Sequence, residues 1–158
     1  MKVRVKEFVE ELCDEAEKIP VIEVWYSIGD VARKLGVQPT TIRMYEREGL
    51  IAPARSGSGR RVYAQSDIDM LSTIRTLMVS EKISLAGMRK LLALLPCWSI
   101  SNCGFKEYCV AYNDAEFPCW VLRQREGKSV NQCRVCKVYR QASLIKNLKS
   151  VLRVFPIY

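Results

Sequence analysis

Apolar side chains recur along much of the chain with a helical period, and the interruptions between those stripes are as informative as the stripes. Val5, Phe8, Val9, Leu12, Ala16 and Ile19 stand at roughly helical spacing among acids and lysines, which predicts a short amphipathic helix over residues 3–19, ended by Pro20. Its expected role is to cover the domain behind it. Ile28, Val31, Ala32 and Leu35 then recur at i, i+3, i+4, i+7, one face of a second helix. Ser27 with Asp30 three residues on is a capping-box start, and Gly36 offers the left-handed residue that closes a helix. Pro39 suits the first position of the next helix, where its missing N–H costs nothing. In that helix Ile42 and Tyr45 can point inward, while Thr40, Arg43, Met44 and Arg47 share the opposite face.

The period then changes. Residues 51–55 and 60–63 are short extended runs, and Ser56-Gly57-Ser58-Gly59 supplies a turn between them, so a small hairpin is expected. Helical spacing returns with Ile68, Leu71, Ile74, Leu77 and Met78, preceded by Ser66-Asp67. Ser84 caps a further helix whose buried side carries Leu85, Met88, Leu91, Leu92 and Leu95, and Pro96 ends it. From Cys97 to Cys136 the periodicity fades, and Gly104, Asn113-Asp114, Pro118 and Gly127 break the chain repeatedly. A last stripe of Leu144, Ile145, Leu148, Val151, Leu152 and Phe155 predicts a helix over residues 138–155. The fold class expected is mainly α. It comprises a terminal helix (1–20), a winged helix-turn-helix unit (21–96), a small cysteine-rich, metal-stapled module (97–136) and a C-terminal helix (137–158).

Composition changes this picture by locating charge. The 158 residues carry 25 Lys+Arg against 17 Asp+Glu, net +8. Residues 1–20 are net −2, residues 21–92 net +4 and residues 93–158 net +6, so the basic excess lies in the hairpin region and the tail. Arg55, Arg60 and Arg61 crowd one hairpin, which is costly unless a polyanion sits nearby. An outward helix bearing arginines, hydroxyls and a flexible apolar chain suits a DNA major groove. The bland alternative is a helical hairpin with a solvated charged face. Nothing approaches the ~20 apolar residues of a membrane span, and no secretory signal pattern opens the chain, so the expected compartment is the cytoplasm. Histidine is absent, which removes the commonest general base and nitrogen metal ligand, and no catalytic motif is present. An enzyme is not expected.

Taken together, TIRMYEREGLIAPARSGSGRRVY followed by SDIDML resembles the DNA-binding domain of MerR-type transcription regulators. The run ISLAGMRKLL resembles the branch of that family that contains the heat-shock repressors. The resemblance covers roughly residues 25–95. It implies a homodimer on double-stranded DNA at a promoter inverted repeat, changing transcription by distorting the duplex. Contact with RNA polymerase or a chaperone is a further expectation. Matched by position, Arg43 and Tyr45 would meet DNA from the recognition helix, and Arg61 and Tyr63 from the wing. With their neighbours they give the DNA-binding set Thr40, Thr41, Arg43, Met44, Tyr45, Arg47, Arg55, Arg60, Arg61 and Tyr63. Met44 stands where many members have a second aromatic, and Arg60 where many have tyrosine.

The cysteines carry the other candidate chemistry. Cys97, Cys103, Cys109, Cys119, Cys133 and Cys136 fall in a segment with little apolar periodicity of its own, which needs a staple. Beside a cytosolic DNA-binding unit that staple is expected to be metal rather than disulfide. Cys133-x-x-Cys136 can aim two sulfurs at one centre. With a single CxxC and otherwise loose spacings, a [4Fe–4S]-type cluster is preferred and zinc is the alternative. Thiol–disulfide switching and simple packing stay open, and Cys13, alone on the first helix, reads as a small hydrophobe. Residues 123–153 hold nine Lys/Arg and one acid, enough to offset a thiolate centre's negative charge. The pattern CWSISNC…CVAY…PCW…CRVCKVY resembles the two-CW cysteine module of bacterial signalling proteins, without the extra cysteine that usually follows the second CW. The expected whole is a regulator whose cysteine centre senses redox state, oxygen or metal supply. A constitutive regulator with structural zinc and a protein-interaction adaptor are the alternatives.

Overall fold

The computed structural model describes residues 24–101, 106–114, 116–127 and 129–147. The first helix, with Cys13, and residues 148–158 of the last stripe lie outside them, as does Cys103.

Helix α1, Ile28–Leu35, begins as its sequence requires. Ser27 Oγ accepts the Asp30 N–H at 3.2 Å and Asp30 accepts the Ser27 N–H at 3.1 Å, closing a capping box that satisfies two otherwise orphaned donors. Gly36 ends it at φ +61°, passing its N–H to the carbonyls of the last turn. Three residues later Pro39 opens α2, Pro39–Arg47. Val31 and Ala32 of α1 meet Ile42 and Tyr45 of α2, and all four are buried. The turn between the helices is fixed at both ends by residues that can adopt only a few backbone conformations.

Strands β1, Ala54–Arg55, and β2, Arg61–Val62, pair antiparallel with Ala54 facing Val62 and Arg55 facing Arg61. Two like charges directly opposed would weaken the pair. Each arginine has another acceptor: Arg55 donates to the Gly59 carbonyl at 3.0 Å and Arg61 to Glu46 at 2.6 Å. Tyr26 bridges Tyr63 with two backbone hydrogen bonds, adding an edge contact to the hairpin that the sequence pattern did not show. Helix α3, Gln65–Ser80, starts one residue earlier than its Ser66-Asp67 signal, with Ala64 at the N-cap. Asp67 takes the Ala64 N–H at 2.8 Å. Ser84 caps α4, Leu85–Ala93, through the Gly87 N–H, and Pro96 follows.

Beyond Pro96 the described chain keeps turning in pieces of one or two turns. These are α5 (Cys97–Ile100), a 3₁₀ turn (Lys106–Tyr108), α6 (Val110–Asn113), α7 (Cys119–Arg125), α8 (Val130–Val135) and α9 (Lys137–Gln141), then a second 3₁₀ turn, Ala142–Asn147. They do not stand apart. Trp120, Cys133, Val138, Tyr139, Ala142 and Ile145 belong to the same buried cluster as Ile42, Leu50, Leu71 and Met88. The division expected at residue 96 is therefore no break in the packing.

The continuous helix expected over residues 138–155 is corrected within the described part. Its α form ends at Gln141, and the next six residues tighten to 3₁₀ against α3, where Thr73 donates to the Ser143 carbonyl at 3.3 Å. Tyr139, Ala142 and Ile145, all buried, are three residues apart, the period of a 3₁₀ turn. The stripe read from the sequence shares Ile145 with this face but also took in Leu144, which is exposed.

Candidate nucleic-acid interface and cysteine cluster

Thr40, Arg43 and Arg47 are exposed on α2, with Thr41 and Met44 half-buried beside them, while Ile42 and Tyr45 face the core. Arg55, Arg60 and Arg61 are exposed on the hairpin. Helix and hairpin are tied by Glu46, whose Oε1 accepts Arg61 Nε at 2.6 Å. That hydrogen bond, and then the charge of Glu46, hold the Arg61 guanidinium above its ordinary pKa. The wing arginine is thus part of the frame that sets the wing against α2 as well as a surface cation.

Two tyrosines of the expected DNA-binding set lie inside the protein. Tyr63 is fully buried, and its hydroxyl, among the described residues, has no hydrogen-bond partner. Burial, assisted by the Glu46 carboxylate, pushes its phenol up to about 12. Tyr45 is 7% exposed and its phenol is likewise raised by burial. Their rings fill the space beneath α2 and the hairpin, so they support the outward face rather than form it.

The connection between α2 and β1, residues 49–52, is held from the cysteine segment at both ends. Trp120, next to Cys119, donates its indole N–H to the Gly49 carbonyl at 2.8 Å. Arg134, inside the Cys133–Cys136 turn, donates to the Ala52 carbonyl at 2.8 Å and to both oxygens of Asp67, at 3.1 and 2.8 Å. Tyr139 donates to Asp67 at 2.6 Å and accepts the Ala52 N–H at 2.9 Å. Arg134 and Asp67 are both buried, so each charge depends on the other. Asp67 alone had signalled only a helix start, and a lone arginine within a CxxC gives no hint of its partner. The sequence therefore passed over both, together with the roles of Trp120 and Tyr139.

Burial dominates the ionisation of the thiols. Burial, with the charges of Cys136, Cys97, Cys133 and Cys109 adding to it, holds the Cys119 thiol well above its ordinary pKa. Burial raises Cys133 as well, opposed by the Arg123 guanidinium. Cys136 donates its N–H to the Cys133 carbonyl at 3.2 Å, the tight turn expected of that pair. Among the described residues no three Cys, Asp or Glu side chains stand ready to hold a metal ion, and Cys103 is not among those residues. Five described cysteines, none in a disulfide, with cations on the same segment, match in kind the donors of a thiolate-ligated centre.

Two packed helices presenting an exposed arginine face beside an arginine-bearing hairpin define a winged helix-turn-helix. Residues 26–95 match the family described as MerR HTH family regulatory protein, and the chain carries a DNA-binding domain of that family. Over 69 residues it is 36% identical to the heat shock protein HspR of Streptomyces coelicolor, covering 44% of this chain and 46% of that protein. It is 41% identical over 70 residues to the HTH-type transcriptional regulator HmrR of Rhizobium leguminosarum, covering 43% and 52%. It is 45% identical over 53 residues to the mercuric resistance operon regulatory protein of Bacillus cereus, covering 33% and 40%. The chain spans about half the length of these relatives or less. No solved structure matches it. Among the described residues no helix is long and apolar enough to cross a membrane.

Proposed function

We propose that the protein is a cytoplasmic transcription regulator that binds a promoter inverted repeat as a dimer. In this reading Thr40, Arg43 and Arg47 enter the major groove while Arg55 and Arg60 grip the flanking backbone. Cys97, Cys109, Cys119, Cys133 and Cys136, with Cys103, supply thiolates to a centre, a [4Fe–4S] cluster in preference to zinc, whose gain or loss changes DNA binding. The observation that carries this reading is the pair of contacts from cysteine neighbours to the α2–β1 connection: Trp120 to Gly49 and Arg134 to Ala52. A change in geometry at Cys119 or Cys133 reaches the link between recognition helix and wing through one residue. That route is shorter than one through the last helix, whose described part packs on α3.

Filling the centre requires deprotonating thiols that burial keeps neutral, so occupancy weakens as pH falls and binding releases protons. Anaerobic purification tests the proposal. Brown protein with sulfur-to-iron absorbance, and DNA affinity that changes at least tenfold when the cluster is removed, is the expected result. Colourless protein carrying zinc, with affinity unaffected by oxidants, would leave a constitutive regulator with a structural site. Protein without metal whose DNA binding ignores thiol state would remove the sensing role.

A further inference from the structure

A cleft of about 570 Å³ opens between α2, the start of the hairpin and the α7–α8 turn. Its walls include Arg47 and Arg55 from the DNA-binding domain and Gln124, Arg125 and Asn131 from the cysteine segment. We propose that this cleft seats a phosphodiester of the bound duplex, so that the cysteine segment is a third DNA-contacting element beside recognition helix and wing. The proposal rests on the DNA-binding reading above and extends it to residues outside the part that matches the family.

Charge and geometry favour a phosphate. Arg47, Arg55 and Arg125 are all exposed, and among the described residues none of them forms an ion pair. The only acid on the walls, Glu46, already accepts Arg61. Arg125 is held in place by an aromatic ring rather than a carboxylate: its guanidinium lies 4.0 Å from the centre of Phe117, which also sits 4.8 Å from Arg89. Stacking of this kind leaves the N–H edge of a guanidinium available for an oxyanion. Gln124 donates to the Trp120 carbonyl at 2.9 Å, which fixes its amide on the cleft wall. Arg47 belongs both to the outward face of α2 and to the cleft, so a duplex engaged by that face runs past the opening. Six apolar or backbone-rich neighbours, among them Ile51, Pro53 and Val121, partly shield the arginines and strengthen their field at the centre.

A free oxyanion offers the same chemistry as a backbone phosphate, and the experiment separates the two. Duplexes selected from a random pool by the full-length protein serve as probe, with affinity measured against salt. Arg125→Gln should lower the slope of log affinity against log salt by about 1 and weaken specific and scrambled duplexes alike, and Arg125→Lys should restore it. Asn131→Asp, which leaves the Phe117 stack alone, should weaken both duplexes several-fold. Arg43→Ala is the control: if it too binds as the parent, the DNA-binding reading itself fails. If Arg43→Ala binds weakly while Arg125→Gln and Asn131→Asp keep the parent's slope and affinity, the cleft inference alone is overturned. Inorganic phosphate that binds only when Arg125 is present, with the DNA slope unchanged, likewise overturns it in favour of a free-anion site.

Discussion

Residues 26–95 and residues 97–147 solve the same problem in opposite ways. In the first, α1, α2 and α4 carry local start or stop signals: Ser27 with Asp30, Gly36, Pro39, Ser84 and Pro96. Its apolar stripes are long enough to pair with one another. In the second, the α-helical pieces run from four to seven residues, too short to persist alone, and few are capped by a side chain. What orders them is contact with the first region, through Trp120, Tyr139 and Ile145 in a shared core and Arg134 on Asp67. A locally specified unit can present a surface; a unit specified by contact can report on whatever changes its own geometry. That difference is what the proposed function needs, one part to meet DNA and another to respond at its cysteines.

Breaking the joint should therefore do more damage than altering the surface. Asp67→Ala leaves Arg134 buried without its partner and strips Tyr139 and the Ala64 N–H of an acceptor. A loss of about 3–5 kcal/mol is expected, read as a lowered midpoint in chemical denaturation; a change below about 1 kcal/mol would mean that the two regions are coupled by apolar packing alone. The interface can be probed more gently at Gly49, which has φ +73° and whose added Cβ would stand 2.5 Å from Val121 Cγ2. Gly49→Ala should cost roughly 1–3 kcal/mol, from left-handed strain and overpacking together. Adding Val121→Ala should return only the overpacking share. A double variant no better than Gly49→Ala would show that strain alone matters there. The smallest effect is expected at Tyr63, where a buried hydroxyl has no partner among the described residues. Tyr63→Phe should leave stability unchanged or raised by about 1 kcal/mol and DNA affinity within about twofold. A tenfold loss of affinity would place that hydroxyl on the DNA after all.

The helix-turn-helix could be read from the chain because its signals are local. A capping box spans four residues, a left-handed glycine acts alone, and a stripe at i, i+3, i+4, i+7 needs no partner to be recognised. So α1, α2, the hairpin turn at Ser56–Gly59, α4 and the outward set Thr40, Arg43 and Arg47 followed from the sequence. Tyr45 and Tyr63 were less secure, because a tyrosine in an amphipathic position serves equally as core or contact. Burial, which depends on what lies across from it, decides between them.

Sequence alone determined where helices start and stop, where positive charge gathers, and which residues could be thiolate donors, since those are properties of neighbours along the chain. Only the tertiary structure decided that the cysteine segment folds onto the DNA-binding domain, that Arg134 and Trp120 grip the ends of one short connection, and that Arg125 shares a cleft with Arg47. The physical reason is separation: Asp67 and Arg134 lie 67 positions apart. The free energy of a buried pair exists only once packing has removed water from both.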